Sequence, residues 1–473
     1  MKKFDKEIDI ELFRKISGIA DKHELKLWLI GGYVRDLLLG RKSNDIDIVV
    51  HGDGIQAAKI LAKGIEADNL SVFKNFGTAQ IVKDAYEIEI VGARKESYRR
   101  NSRKPLVEDG SIEDDQNRRD FTINALALGL NGNNFGELTD PFDGINDLKK
   151  KIIRTPLQPE QTFSDDPLRM LRGIRFAAQL DFTIEKDTFQ GIVNAAERIG
   201  IVSGERIADE LNKIMASPHP GKGIKLLNKS GLLKIVLPEL HALTGVEVHN
   251  NRAHKENFLH SVQVLDNIAK VTDNIWLRWA ALLHDVGKAE TKKYVEGHGW
   301  TFHAHDFIGE KMIGRIFKRL KLPLHDRLKY VKKIVRLHMR PISLVEDAVT
   351  DSAVRRLLYD AGDDIDDLMM LCEADITSKN QKKKEKFLNN FKLVRKKLRE
   401  IEEKDRIRNF QPPIDGEEIM RTFDLEPSPK IGQIKDAIKD AILDGEIPNE
   451  YEAAREFMFK KARELGIDAA QQD

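Results

Sequence analysis

The chain has 473 residues, 41% of them hydrophobic and 33% charged, and its 78 Lys and Arg against 77 Asp and Glu give a net charge of +1. A single core rarely exceeds roughly 250–300 residues, so about two to four domains are expected. The lone cysteine, Cys372, excludes an intrachain disulfide and a thiolate zinc cluster. No apolar run reaches the ~18 residues of a membrane span, and no apolar signal segment follows the charged residues 1–9, so no membrane partner and a cytoplasmic location are expected.

Strand-like apolar runs come first, at 27–30, 46–50, 79–82 and 88–91, punctuated by glycines. Leu27 to Ile30 followed by Gly31-Gly32 reads as strand, tight turn and helix, with the new helix N–H groups suited to phosphate and Arg35 in its first turn. No P-loop motif is present. In Asp45-Ile46-Asp47-Ile48 the alternation places Asp45 and Asp47 side by side on one strand face. Strands disfavour Asp and adjacent carboxylates repel, so a divalent cation explains the pair better than a polar strand end. Mg²⁺, hard and commonly shared with substrate phosphates, is the expected ion.

From about Leu157 the pattern turns helical, with apolar stripes at Leu168, Leu171, Ile174 and Ala178, and again at Phe258, Val262, Leu265 and Ile268. Asp165-Asp166-Pro167 reads as a helix start with Pro at the first helical position. Residues 276–283 read as a buried helix ending in His284-Asp285, with Gly287 as its stop and two metal-ligand types at its tip. His260, His305, His338 and Asp375 extend that pair into an ordered set. The basic stretch 379–408, with Lys382, Lys383, Lys384, Lys386, Lys392, Arg395, Lys396, Lys397 and Arg399, is expected to be helical. A solvated face is its plain reading, and contact with nucleic-acid phosphates is the other.

Gly31-Gly32-Tyr33-Val34-Arg35-Asp36 with Asp45-Ile46-Asp47 resembles the first motif of the polymerase-β-like superfamily, in its tRNA nucleotidyltransferase and bacterial poly(A) polymerase branch. Arg118-Arg119-Asp120-Phe121-Thr122-Ile123-Asn124-Ala125, Asp140-Pro141-Phe142-Asp143-Gly144 and Asp166-Pro167-Leu168-Arg169-Met170-Leu171-Arg172 resemble three further motifs in the same order. The family's usual Glu-Asp pair is Asp165-Asp166 here. The resemblance implies that Asp45 and Asp47 hold Mg²⁺, with Glu89 where relatives often carry a third carboxylate. It implies nucleotide contacts from Gly32, Arg35, Arg119, Asp120, Arg172 and Arg175, and base selection by Asp166 and Arg169.

The chemistry of that selection is simple. Cytosine and adenine both present an amino donor beside a ring-nitrogen acceptor, which a carboxylate and an arginine complement. Uracil and guanine reverse the order. The plain alternative makes Asp166 a helix cap and Arg169 a surface charge. The basic stretch 94–105 reads either as a solvated loop or as the segment that, in the resembled enzymes, switches addition from C to A; it is not shortened as in enzymes that add only CC.

The set His260, His284-Asp285, His305, His338 and Asp375 resembles the HD phosphohydrolase superfamily, with a metal drawn from Mn, Fe, Ni, Co or Mg. Resembled enzymes act on 2′,3′-cyclic phosphates and 2′-nucleotides. The expected architecture is α+β: a nucleotidyltransferase head over 1–155, then all-helical parts, with a neck over 156–245, an HD domain over 246–385 and a tail over 386–473. The expected activity is that of a class II tRNA nucleotidyltransferase, adding C, C and A to tRNA from CTP and ATP. The alternatives are a poly(A) polymerase, an HD hydrolase with a regulatory head, and a protein-modifying enzyme like PII uridylyltransferase. Intact Asp45 and Asp47 argue against an inert head, and the Arg118–Ala125 block favours the RNA branch.

Overall fold

The computed structural model describes residues 2–74, 77–97, 106–246, 248–249, 252–253, 256–346, 350–378, 380–405, 408 and 410–467. The chain divides into two compact units, Met1–His241 and Ala242–Asp473. No described helix is long and apolar enough to cross a membrane.

After the helix Glu11–Lys22, the first unit runs through strands β1 (Leu27–Ile30), β2 (Asp45–Val50), β3 (Asn69–Phe73), β4 (Thr78–Lys83) and β5 (Tyr86–Gly92). A ribbon of β6 (Arg94–Ser97) and β7 (Leu106–Asp109) follows, then β8 (Ala127–Gly129) and β9 (Leu138–Thr139). The main sheet has the order β3-β4-β5-β2-β1-β8-β9, antiparallel throughout except for the central β2–β5 pair. The alternation in β2 decides which face is which. Ile46 and Ile48 are buried, while Asp45 and Asp47 stand on the opposite face. Each such isoleucine contributes about 1.5–3 kcal/mol on burial. The helix Gly54–Gly64 covers the apolar face and leaves the acidic face open. Of the basic segment expected between the first two motifs, 94–97 lies in β6, and 98–105 falls outside the described residues.

Beyond the sheet, helices Leu168–Leu180, Gly204–Met215 and Pro220–Lys229 pack together. Phe121 meets Phe176 edge-on, with ring centroids 5.9 Å apart, and so ties the segment leading into β8 to the first of these helices.

The second unit is built on helices Asn257–Ala269, Ile275–Leu283, His305–Leu320, Asp326–Leu337 and Ile365–Asp375. It is not helical throughout as expected: Lys293–Val295 and Gly299–Thr301 form a hairpin just before His305. The expected step at 385/386 falls inside the continuous helix Gln381–Asp405, which buries Phe391, Val394, Leu398 and Ile401. Of its cations, Arg395 pairs with Glu373 and Asp366, and Lys397 with Asp351. Lys379 lies outside the described residues.

Candidate functional site

The acidic face of the head follows from strand register. Parallel pairing sets Asp47 opposite Glu89 and Asp45 opposite Glu87, and Gln80 of β4 donates to Glu87 at 2.9 Å. Burial pushes the Asp47 carboxyl above its usual range; Arg119 pulls the other way, and the charges of Glu89 and Asp45 add to the rise. Arg119 offsets only part of that rise, which leaves a carboxylate that a cation would suit.

Among the described residues, groups of three or more ligand side chains converging within 4.8 Å occur in the second unit, not here. The donor set therefore suits an ion that substrate phosphates complete. Gly31 makes the corner, at φ +79°, and a Cβ there would stand 2.6 Å from Asp47 Oδ2 and 2.9 Å from Arg119 Nη1. The close approach is thus to the protein's own charged groups at Gly31. Gly32 begins the short helix Gly32–Leu38 with only Arg35 near it.

Buried carboxylates hold most of the arginines. Asp115, fully buried, accepts from both Arg118 and Arg119. Burial raises its carboxyl, but the two guanidinium groups outweigh that and hold it below the usual range. Asp120 accepts from the Phe121 N–H, from Asn124 and from Arg172 at 2.7 Å. Against the upward push of burial, Arg172 and these donors hold it well below the usual range. Arg35 donates to Asn124 at 2.8 Å, which extends the chain to the Gly-Gly corner. Arg175 faces Glu210 at 3.2 Å, and burial pushes its guanidinium down to about 10, still charged at neutral pH. Arg35, Arg172 and Arg175 surround one ring, Phe176, at 5.0, 5.6 and 4.3 Å from its centroid.

Asp166 sits in extended conformation between helices Pro159–Asp165 and Leu168–Leu180, so the second helix begins one residue later than expected. One of its oxygens accepts from the Leu168 N–H at 3.1 Å, and the other pairs with Arg206 at 3.2 Å. The capping role is therefore present, and it uses one oxygen only. Arg169 donates to the Arg118 carbonyl at 2.6 Å.

Two cavities, of about 350 and 510 Å³, share Asp47, Glu89 and Arg172 in their walls. All eleven head residues expected from the sequence line one or both. Sequence reasoning missed Asp115, Phe176 and Arg206. The spacing of Asp115 to Arg118 and Arg119, one helical turn, was a usable signal. Arg206 comes from a separate helix and left none.

In the second unit all six expected ligands meet. Asp285, at the tip of Ile275–Leu283, is shared. Its Oδ2 lies 3.3 Å from His284 Nε2 and 3.6 Å from His260 Nε2. Its Oδ1 lies 3.4 Å from His305 Nε2 and 3.8 Å from His338 Nε2. Asp375 approaches His260 at 2.7 Å and His284 at 3.6 Å. The Nδ1 atoms of His284, His305 and His338 face the carbonyls of Ala281, Phe302 and Val335 at 2.8, 2.9 and 2.6 Å. Carbonyls only accept, so each Nδ1 carries the proton and each Nε2 lone pair points inward.

His284 Nε2 is buried without a hydrogen-bond partner. Burial pushes this ring down, but Asp285 and Asp375 overcome that and bring it up to about 10. The positive charge they draw to Nε2 is what a metal ion supplies. Burial pushes His338 down to about 4, so its ring is neutral and ligand-ready. Two ligand groups result, His260–His284–Asp285 and Asp285–His305–His338, a set that fits divalent metal. Gly287 is not a helix stop as expected: its φ is −64°, and its role is space, since a Cβ would lie 2.0 Å from the His305 carbonyl.

A nucleotidyltransferase head of the polymerase-β type, followed by a histidine–aspartate metal centre, is the class that fold and sites define. Residues 27–154 match the Poly A polymerase head domain, 181–244 the probable RNA and SrmB-binding site of polymerase A, and 257–379 the HD domain. An A-adding tRNA nucleotidyltransferase of Deinococcus radiodurans is 31% identical over 92% of this chain and 95% of its own length. A CCA-adding enzyme of Streptococcus gordonii is 29% identical over 92% and 93%. The Bacillus stearothermophilus CCA-adding enzyme bound to CTP shares the fold, with TM-score 0.65, 23% identity and coverage of 97% and 99%. The chain belongs to the class II tRNA nucleotidyltransferase family, with an HD domain in its C-terminal unit, and it is an RNA nucleotidyltransferase.

Proposed function

We propose that the enzyme adds C, C and A to the 3′ end of tRNA from CTP and ATP, in the cytoplasm, where all three substrates reside. One observation carries this reading: Asp47 and Glu89, suited to a metal–triphosphate, and the Asp166/Arg169 pair, suited to a base edge, open on one cavity, while Asp45 lines the second cavity, which shares Asp47 and Glu89 with the first. The terminal 3′-oxygen bonds to the α-phosphorus, the bond from that phosphorus to the bridging oxygen breaks, and pyrophosphate leaves. Asp45 and Asp47 would hold Mg²⁺, with Glu89 beside them; bound there, the ion neutralises charge on the attacking and leaving oxygens. Arg35, Arg119, Arg172 and Arg175 bind phosphate and ribose, and Asp120 and Asn124 fix two of them. Asp166 accepts from the base amino group and Arg169 donates to the ring nitrogen, so one pair serves both C and A.

A second reading, addition of the terminal A alone, is favoured by the Deinococcus relative. The test uses tRNA ending before CCA, after C and after CC, each with single labelled nucleotides and Mg²⁺. Two C residues followed by one A support the first reading. ATP use restricted to tRNA ending in CC supports the second. Unlimited A addition identifies a poly(A) polymerase and removes both.

The shared Asp285 supports two adjacent metal positions and hence phosphoester hydrolysis in the second unit, with Mn, Fe, Ni, Co or Mg as the metal. Conversion of 2′,3′-cyclic nucleotides to nucleoside monophosphates by metal-loaded protein tests it. The exposed cations of Gln381–Asp405 that make no internal pair provide phosphate contact for the tRNA body, detectable as salt-dependent binding.

A further inference from the structure

The hairpin beside the HD centre has no role in either site so far. Tyr294 and Trp300 are directly opposed across it, their rings edge-on with centroids 5.5 Å apart. Phe302 follows the second strand directly. All three rings are half-buried. Cations lie over two of them: Lys292 Nζ is 5.7 Å from the Trp300 ring and Lys288 Nζ 5.6 Å from the Phe302 ring. Aromatic side chains beside positive charge are the usual makings of a stacking platform for bases.

Its position gives the platform a direction. Lys288 also donates to Asp285 Oδ2 at 2.6 Å, so one side chain spans from the shared carboxylate to the Phe302 ring. The Phe302 carbonyl accepts from His305 Nδ1 at 2.9 Å and so orients a ligand of the centre. Lys288 Nζ lies 2.6 Å from Asp285 Oδ2 and 5.6 Å from the Phe302 centroid, which keeps that ring within a nucleotide's length of the shared carboxylate.

We infer that Trp300 and Phe302 form a nucleobase subsite of the HD centre, holding the base of a nucleotide whose phosphate ester lies at Asp285, with Lys288 between them. The subsite rests on the phosphohydrolase reading of that centre. It makes the preferred substrate a nucleotide or RNA end rather than a small phosphate ester.

The test is calorimetric titration of the full chain, loaded with Mn²⁺, using adenosine 3′-monophosphate and orthophosphate as separate probes. Trp300→Ala and Phe302→Ala should each weaken adenosine 3′-monophosphate roughly 5- to 100-fold and leave orthophosphate unchanged. Trp300→Phe should restore most of the loss. Unchanged nucleotide affinity in both alanine variants overturns the subsite. So does equal weakening of both probes, or a loss that Trp300→Phe shares together with a lowered melting temperature, which marks Trp300 as structural. Metal-loaded wild-type protein that leaves 2′,3′-cyclic nucleotides untouched overturns the phosphohydrolase reading itself, a separate failure.

Discussion

The head pocket and the HD centre both gather negative charge, and they handle it in opposite ways. At the HD centre six ligands from five helices converge, three of the four imidazoles are oriented by backbone carbonyls, and Asp285 joins two halves. The site is assembled before any substrate arrives. The head offers two carboxylates on an open strand face and a wall of arginines held by Asp115 and Asp120. On the proposed function, a metal–triphosphate completes it. A centre that hydrolyses many esters benefits from a finished metal site. A pocket that must accept two different nucleotides in turn benefits from leaving part of itself to the substrate.

Removing head charge should have the largest effect. Asp45→Asn with Asp47→Asn should lower nucleotide addition at least about 10³-fold, read by gel extension of tRNA. Phosphohydrolysis should persist, and a parallel loss would break the contrast between the sites. His284→Ala should weaken metal binding by more than the about 10–100-fold that follows loss of an outer partner, measured by metal content after dialysis. Addition should survive. Arg169→Ala should reduce discrimination against UTP and GTP by about 100-fold, with triphosphate affinity less affected. Uniform loss for all four nucleotides would sever Arg169 from base choice.

The smallest effect sharpens the contrast most. The folded protein holds the Asp47 carboxyl above its unfolded value. The folded state then binds more protons than the unfolded state across that interval, so stability falls as pH rises through it and stays lower at neutral pH. Asp47→Asn alone should therefore raise the stability of metal-free protein, by about 1 kcal/mol, while abolishing addition. Thermal unfolding at pH 7, without metal, reads the sign. A destabilised variant would show Asp47 to be well paired before substrate binds.

The period-two pattern of Asp45 to Ile48 put both carboxylates on one face, and the stripe ending at His284 led straight to the HD centre. Both signals are local, and both survive folding because the core side of each element is strongly apolar. The hairpin Lys293–Val295/Gly299–Thr301 escaped because three-residue strands in a helical region give too few alternations to read, although Gly297 and Gly299 marked its turn. β8 escaped for a different reason: it is buried on both sides, so Ala127 and Leu128 show no alternation. Arg206 was invisible because its partner Asp166 lies 40 positions away, on another helix pair. Pairings of that kind are decided by packing, and no local pattern encodes them.

The shared carboxylate of Asp285 has a consequence for how this enzyme can diverge. Because each of its oxygens serves a different half of the centre, no single change there can retire one metal position and spare the other. A lineage that lost the need for hydrolysis would shed the whole centre through one altered codon, while its polymerising half went on untouched.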